Sequence, residues 1–184
     1  HMDEGIGWLV ETLRESGMLE NTLIVFSSDN GGERFSNNWP FTGQKMDLME
    51  GGIRVPTIAH WPARFSAGAE CALPHMTMDW TATLLDAGNA AAHPDYPLDG
   101  RSLISLLADQ PDVAGAQWPE PRDLFWRMKH REQRALLRGD WKYLSMEGND
   151  YLFNVATDPR ERATMVEREP GMLAELKQAW LDLN

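Results

Sequence analysis

The amino-acid sequence predicts an α/β fold followed by a small antiparallel sheet, and three observations carry that prediction. An amphipathic stretch, Glu4 to Met18, runs directly into a short apolar run, Thr22 to Ser27, the helix-then-strand alternation of a parallel α/β sheet. Beyond Pro121 the apolar period changes from helical spacing to alternation, with a Gly139-Asp140 turn of hairpin type between two runs. From Pro170 to Leu183 helical spacing returns at Leu173, Leu176 and Trp180.

In chain order, Ile6, Leu9, Val10 and Leu13 form one face of the first helix, and Gly17 terminates it. The strand at Thr22 to Ser27 reads as buried and stops in Asp29-Asn30-Gly31-Gly32. After a long loop, Thr57 to Trp61 is a second short strand, bounded by Pro56 and Pro62. His60 within it reads as a core or sheet-edge histidine rather than a ligand. Thr77 is expected to cap a helix from Met78 to Ala87, with Asp79 in its first turn and Gly88 just past its end. A short helix carries Leu103, Leu106 and Leu107. Residues 111–121, with Pro111, Pro119 and Pro121, are the expected linker between a region at 3–110 and a small subdomain at 122–184. In that subdomain strands are expected at Leu124 to Lys129, Arg134 to Arg138, Trp141 to Ser145 and Tyr151 to Val155, with one helix packed on them.

With 42% hydrophobic residues among 184, the chain can bury a sizeable core. Its formal charge, 17 − 28 = −11, disfavours a nucleic-acid or anionic-membrane surface, since those need clustered Lys and Arg. No stretch approaches the ~18 consecutive apolar residues of a membrane helix. The single cysteine, Cys71, excludes an internal disulfide and has no histidine beside it, so it reads as a packed or surface thiol.

The chemistry concentrates in Ser27 to Pro56. A carboxylate beside a carboxamide at the end of a strand is where open α/β sheets place ligands, and both side chains offer the hard oxygens that calcium or magnesium prefers. Gly31 and Gly32 allow a sharp turn or a close backbone approach to an ion or anion. Gly43-Gln44-Lys45 then puts a cation in the loop, and Glu50 can pair with Arg54 to shape it. Arg34, Asn37, Asn38 and Trp39 suit either a substrate pocket or an ordinary surface loop. A divalent metal, a lysine and glycine-lined backbone together suit an anionic substrate.

Three separated elements in order, Ser28-Asp29-Asn30-Gly31-Gly32, Gly43-Gln44-Lys45 and Glu50-Gly51-Gly52-Ile53-Arg54-Val55-Pro56, resemble the C-terminal signature region of the sulfatases of the alkaline phosphatase superfamily. The resemblance continues through Asp79 with Thr83-Leu84-Leu85, read as structural, then Gly139-Asp140-Trp141-Lys142-Tyr143, Leu152-Phe153-Asn154 and Asp158-Pro159. It implies part of a sulfatase-type sheet-and-helix core. It also implies that Asp29 and Asn30 ligate Ca2+, with Mg2+ or another divalent cation as the alternative, and that Lys45 is the catalytic and substrate-binding contact to sulfate.

In that family the nucleophile is a formylglycine made from the Cys or Ser of a Cys/Ser-x-Pro-x-Arg motif near the amino terminus. No such motif occurs here, because Cys71 is followed by Ala72-Leu73-Pro74 with no arginine two residues further on. The expectation is therefore a C-terminal fragment of a sulfuric-ester hydrolase, inactive alone and weak in calcium binding, with the formylglycine supplied upstream. Its expected partners are a sulfate-ester small molecule or a sulfated glycan, with no nucleic acid and no membrane. Self-association is expected through apolar surface at Leu23 to Phe26. The alternatives are a fragment of a phosphonate monoester or phosphodiester hydrolase of the same superfamily, and a non-enzymatic binding module on the same scaffold.

Overall fold

Gly17 ends the first helix as the sequence expects. Helix α1 spans Met2–Glu15, and Gly17, at a φ of 71°, lets its own N–H reach Arg14 O while Met18 N–H reaches Leu13 O. The computed structural model describes residues 1–108 and 117–184. The chain divides into two units, one of His1–Ser27 with Thr57–Trp118 and the other of Ser28–Pro56 with Pro119–Asn184. Residues 111–116 of the expected linker lie outside the described residues.

The first unit pairs β1, Ile24–Ser27, with β2, Thr57–His60, in antiparallel register from Ile24 opposite His60 to Ser27 opposite Thr57. The helix-strand alternation carries no expectation of how these two strands pair, and their connection decides it. A parallel return needs a crossover of a dozen or more residues, usually helical. Between β1 and β2 the helical segment is a single turn, α2, Glu50–Ile53. Val25 and Ala59 pack on a core of Trp80, Leu103 and Leu106, whereas Phe26 and its register partner Ile58 stay 41% and 63% exposed. The apolar face of α1 buries no residue within the described chain.

Helix α3 spans Thr77–Ala87, one residue longer than expected, so Thr77 is its first residue and not its cap. The cap is Met76, in extended conformation, and the Asp79 carboxylate reaches back to accept Met76 N–H at 2.7 Å, the reverse half of a capping box. Asp79 is fully buried and also accepts Arg101 N–H at 2.8 Å. Thr83 donates to Asp79 O and accepts Leu103 N–H, which ties α3 to the short helix α4, Ile104–Leu107. The structural role read for Asp79 and Thr83 is thereby met. The left-handed position after α3 falls on Asn89, at a φ of 51°, rather than on Gly88.

The second unit contains a four-stranded antiparallel sheet of β3 (Asp123–Met128), β4 (Gln133–Arg138), β5 (Trp141–Met146) and β6 (Asn149–Asn154) in sequence order. Two tight turns set its register. Gly139 takes a positive φ before Trp141, and Glu147 and Gly148 both do before Asn149. One row of cross-strand partners, Phe125, Leu136, Tyr143 and Leu152, forms a core with Leu176 and Trp180 of α5, Pro170–Leu183. Phe125 stacks on Trp180 at 5.3 Å between ring centroids, and Arg138 bridges Asp123 of β3 and Glu175 of α5.

The opposite row, Leu124, Leu137, Lys142 and Phe153, is equally buried. The sheet is therefore covered on both faces, where the sequence predicted a helix on one. Tyr143 donates its hydroxyl to Asp150 at 3.0 Å, and its phenol is pushed up to about 12, first by burial and then by that bond. A folded pKa above the unfolded value, about 10, means that this stabilisation is whole below about pH 10 and is lost as the pH rises toward about 12. Subtracting the spectrophotometric titration of Tyr143→Phe from that of the wild type should leave a step near pH 12, and a step near 10 would contradict the assignment.

Candidate functional site

Past Ser27 the chain turns at once, with Ser28 Oγ donating to Asn30 O at 2.8 Å. Gly31 N–H then donates to Gly52 O at 2.8 Å, joining the Asp-Asn-Gly-Gly turn to α2. A Cβ on Gly31 would sit 1.8 Å from Gly51 O, and one on Gly52 would sit 2.0 Å from Asp47 O. Gly31, Gly51 and Gly52 of the signature are thus required by backbone lying on backbone, and Gly32 by the Ser36 and Asn38 side chains that pack against it.

Lys45 is tied to the same turn. Its N–H donates to Gly32 O at 3.0 Å, and that carbonyl also accepts Asn38 Nδ2 at 2.9 Å. Asn38 completes a clamp by accepting Gly32 N–H at 2.9 Å and donating to Gly43 O at 3.2 Å. The Lys45 ammonium is 3.8 Å from Glu33, with side chains 44% and 71% exposed, a loose pair that contributes little. It remains available to an anion.

Asp29 is exposed and Asn30 half-buried, and neither side chain has a hydrogen-bond or ion-pair partner among the described residues. Two unpaired oxygen donors on consecutive residues fit a hard divalent cation in kind but not in number, since calcium takes ~6 to 8 oxygens. No group of three or more His, Cys, Asp or Glu among the described residues could hold a metal. His60 is exposed on β2, His75 packs edge-on against Trp80, and Cys71 is exposed.

Behind the signature loop lies a charge cluster that sequence reasoning missed. Lys142 Nζ, on β5, is 2.9 Å from Glu50 Oε1 and 2.8 Å from Glu161 Oε1, with its side chain fully buried. Glu161 Oε2 also accepts Glu50 N–H at 2.6 Å, at the start of α2. Arg54 lies 3.4 Å from Glu50, the pairing expected from sequence, and its guanidinium covers the Phe41 ring. Burial pushes the Glu161 carboxyl above the ordinary range, against the pull of Lys142. Gln133 closes the same face by accepting Leu48 N–H and donating to Met46 O, both at 2.8 Å. Two signals pointed to Lys142 without giving it a partner: its place in the Gly139-Asp140-Trp141-Lys142-Tyr143 segment, and alternation, which puts it on the same side of β5 as buried Leu144.

An α/β scaffold presenting unpaired carboxylate and carboxamide oxygens beside a backbone-tethered lysine defines a class of proteins suited to anionic ligands. The comparisons make the class specific. The Sulfatase family model matches residues 1–90. Steryl-sulfatase of Mus musculus is 37% identical over 116 residues, covering 58% of this chain and 19% of the relative. Choline-sulfatase of Rhizobium meliloti (strain 1021) is 32% identical over 178 residues, covering 93% of this chain and 32% of the relative. The crystal structure of Ps i-CgsB superposes with a TM-score of 0.86 at 29% identity, covering 98% of this chain and 40% of that one. The chain belongs to the sulfatase family. It spans between 19% and 40% of the length of these three relatives.

Proposed function

We propose that this chain forms one wall of the active site of a sulfuric-ester hydrolase, in which Asp29 and Asn30 give side-chain oxygens to a divalent cation, calcium by preference, and Lys45 contacts the sulfate. The observation that carries the reading is the shared carbonyl of Gly32, which ties Lys45 to the turn bearing the unpaired oxygens of Asp29 and Asn30. When bound, the cation supplies positive charge that holds and polarises sulfate oxygens. The chain's own residues do the rest of what is assigned here. Asp29 and Asn30 present oxygens that no neighbour among the described residues occupies, Asn38 holds the loop in shape, and the Lys45 ammonium offsets charge on the sulfate and its leaving oxygen. In this reading the nucleophile, a formylglycine, and the other metal ligands come from outside these 184 residues.

Two measurements test the reading. In the natural protein that contains this sequence, sulfate and phosphate esters of one aryl alcohol should be turned over with a clear preference for sulfate. A phosphoester preference would move the assignment to a phosphonate monoester or phosphodiester hydrolase. Calorimetric titration of the 184-residue chain with calcium should show weak binding, because two donors are far short of a full shell. A tight isotherm abolished by Asp29→Ala would show that the ligand set has been miscounted.

A further inference from the structure

The loop from Glu33 to Pro40 presents side chains that a soluble surface does not ordinarily leave open. Phe35 is 99% exposed and Trp39 75% exposed. The backbone beneath them is held: Ser36 N–H donates to Glu33 O at 2.8 Å, Trp39 N–H to Asn37 Oδ1 at 3.0 Å, and Phe41 N–H to Asn38 O at 2.9 Å. The Asn38 side chain pins the same stretch to both the N–H and the carbonyl of Gly32. At the near end, the Arg34 guanidinium has no hydrogen-bond or ion-pair partner among the described residues, in a chain of net charge −11. Asn38 within the loop and Lys45 beyond it both donate to Gly32 O.

We propose that this loop is a subsite for a sulfated glycan, in which the Trp39 indole stacks on the C–H face of a sugar ring and Arg34 pairs with an anionic substituent on the same chain of sugars. The proposal rests on the reading of Lys45 as the sulfate contact. The chemistry selects the occupant. A simple aryl sulfate has one anionic group, which Lys45 takes, and it leaves Arg34 unpaired. An oligosaccharide bearing several sulfates satisfies both cations and presents a flat apolar face to the indole. Two exposed rings are too small a patch for a standard protein interface, which buries about 800 Å² on each partner. Preorganised aromatic side chains bind at low entropic cost, which is what the clamped backbone supplies.

The test uses a sulfated galactan hexasaccharide and its desulfated counterpart. In the 184-residue chain the Trp39 indole N–H resonance should shift with the sulfated sugar and stay in place with the desulfated one. Trp39→Ala should weaken binding about tenfold, Trp39→Phe should restore most of it, and Arg34→Gln should weaken it several-fold while reducing its salt dependence. In the natural protein, Trp39→Ala should raise KM for the hexasaccharide and leave turnover of a small aryl sulfate within about twofold. Equal binding of the desulfated sugar, unchanged affinity in Trp39→Ala, or equal loss on both substrates would overturn the subsite. If the natural protein hydrolyses no sulfate ester while Trp39-dependent binding persists, the reading of Lys45 fails and the subsite stands.

Discussion

Lys142→Met is expected to destabilise the second unit by about 3–5 kcal/mol, the cost of leaving buried carboxylates without their cation. Lys142 is the ammonium shared by Glu50 and Glu161, and its side chain is fully buried. Removing it leaves two carboxylates facing one another, and Glu161 is already pushed up by burial with the lysine present. The loss should appear as a lower urea midpoint with an unchanged slope. Adding Glu50→Gln and Glu161→Gln to Lys142→Met should recover much of it, because the buried side chains are then all neutral and of similar volume while Arg54, half exposed, keeps its charge in water. A loss under about 1 kcal/mol would mean that water reaches the cluster. The effect should extend to the signature loop, since Glu50 opens α2 and Gly52 O holds Gly31 N–H.

Lys45→Ala is expected to lower kcat/KM for sulfate esters in the natural protein by about 10²–10³, the range found when one preorganised donor to a developing charge is removed. Stability should change by less than about 0.5 kcal/mol, as for other exposed sites. The separation follows from the geometry. What anchors this position is its backbone N–H, donated to Gly32 O, and alanine keeps that bond. What is lost is an ammonium with only a loose contact to Glu33. Lys45→Arg should restore part of the activity, because the charge returns with a different reach and shape. A loss of less than about threefold with the alanine variant would remove Lys45 from the sulfate contact.

Much of the fold was readable because its signals are short-ranged. Gly17 ended α1, the alternation after Pro121 marked the strands, and the spacing of Leu173, Leu176 and Trp180 marked α5. The errors came where short-range signals allow two outcomes. Thr77 is a good cap by residue type, yet Asp79 three residues beyond Met76 gave the cap to Met76. The helix-strand alternation left the partner of β1 open, and β2, joined to it without a crossover helix, runs antiparallel to it. In the candidate site, the types of Asp29, Asn30 and Lys45 and their glycine neighbours were legible as a metal-and-anion pattern. The clamp that joins Lys45 to the turn was not, because Asn38 reads equally well as a loop residue.

The sequence by itself determined most of the secondary elements, which rest on neighbours a few positions apart, and the family, which rests on short segments matched in order. Only the tertiary structure decided what supports the signature loop. Glu50 and Lys142 are 92 positions apart, Glu50 and Glu161 are 111, and Leu48 and Gln133 are 85. At such separations no local pattern says which charge meets which. The answer comes from the register of β5 within its sheet, which turns Lys142 inward with Leu124, Leu137 and Phe153, onto the face that the signature loop covers.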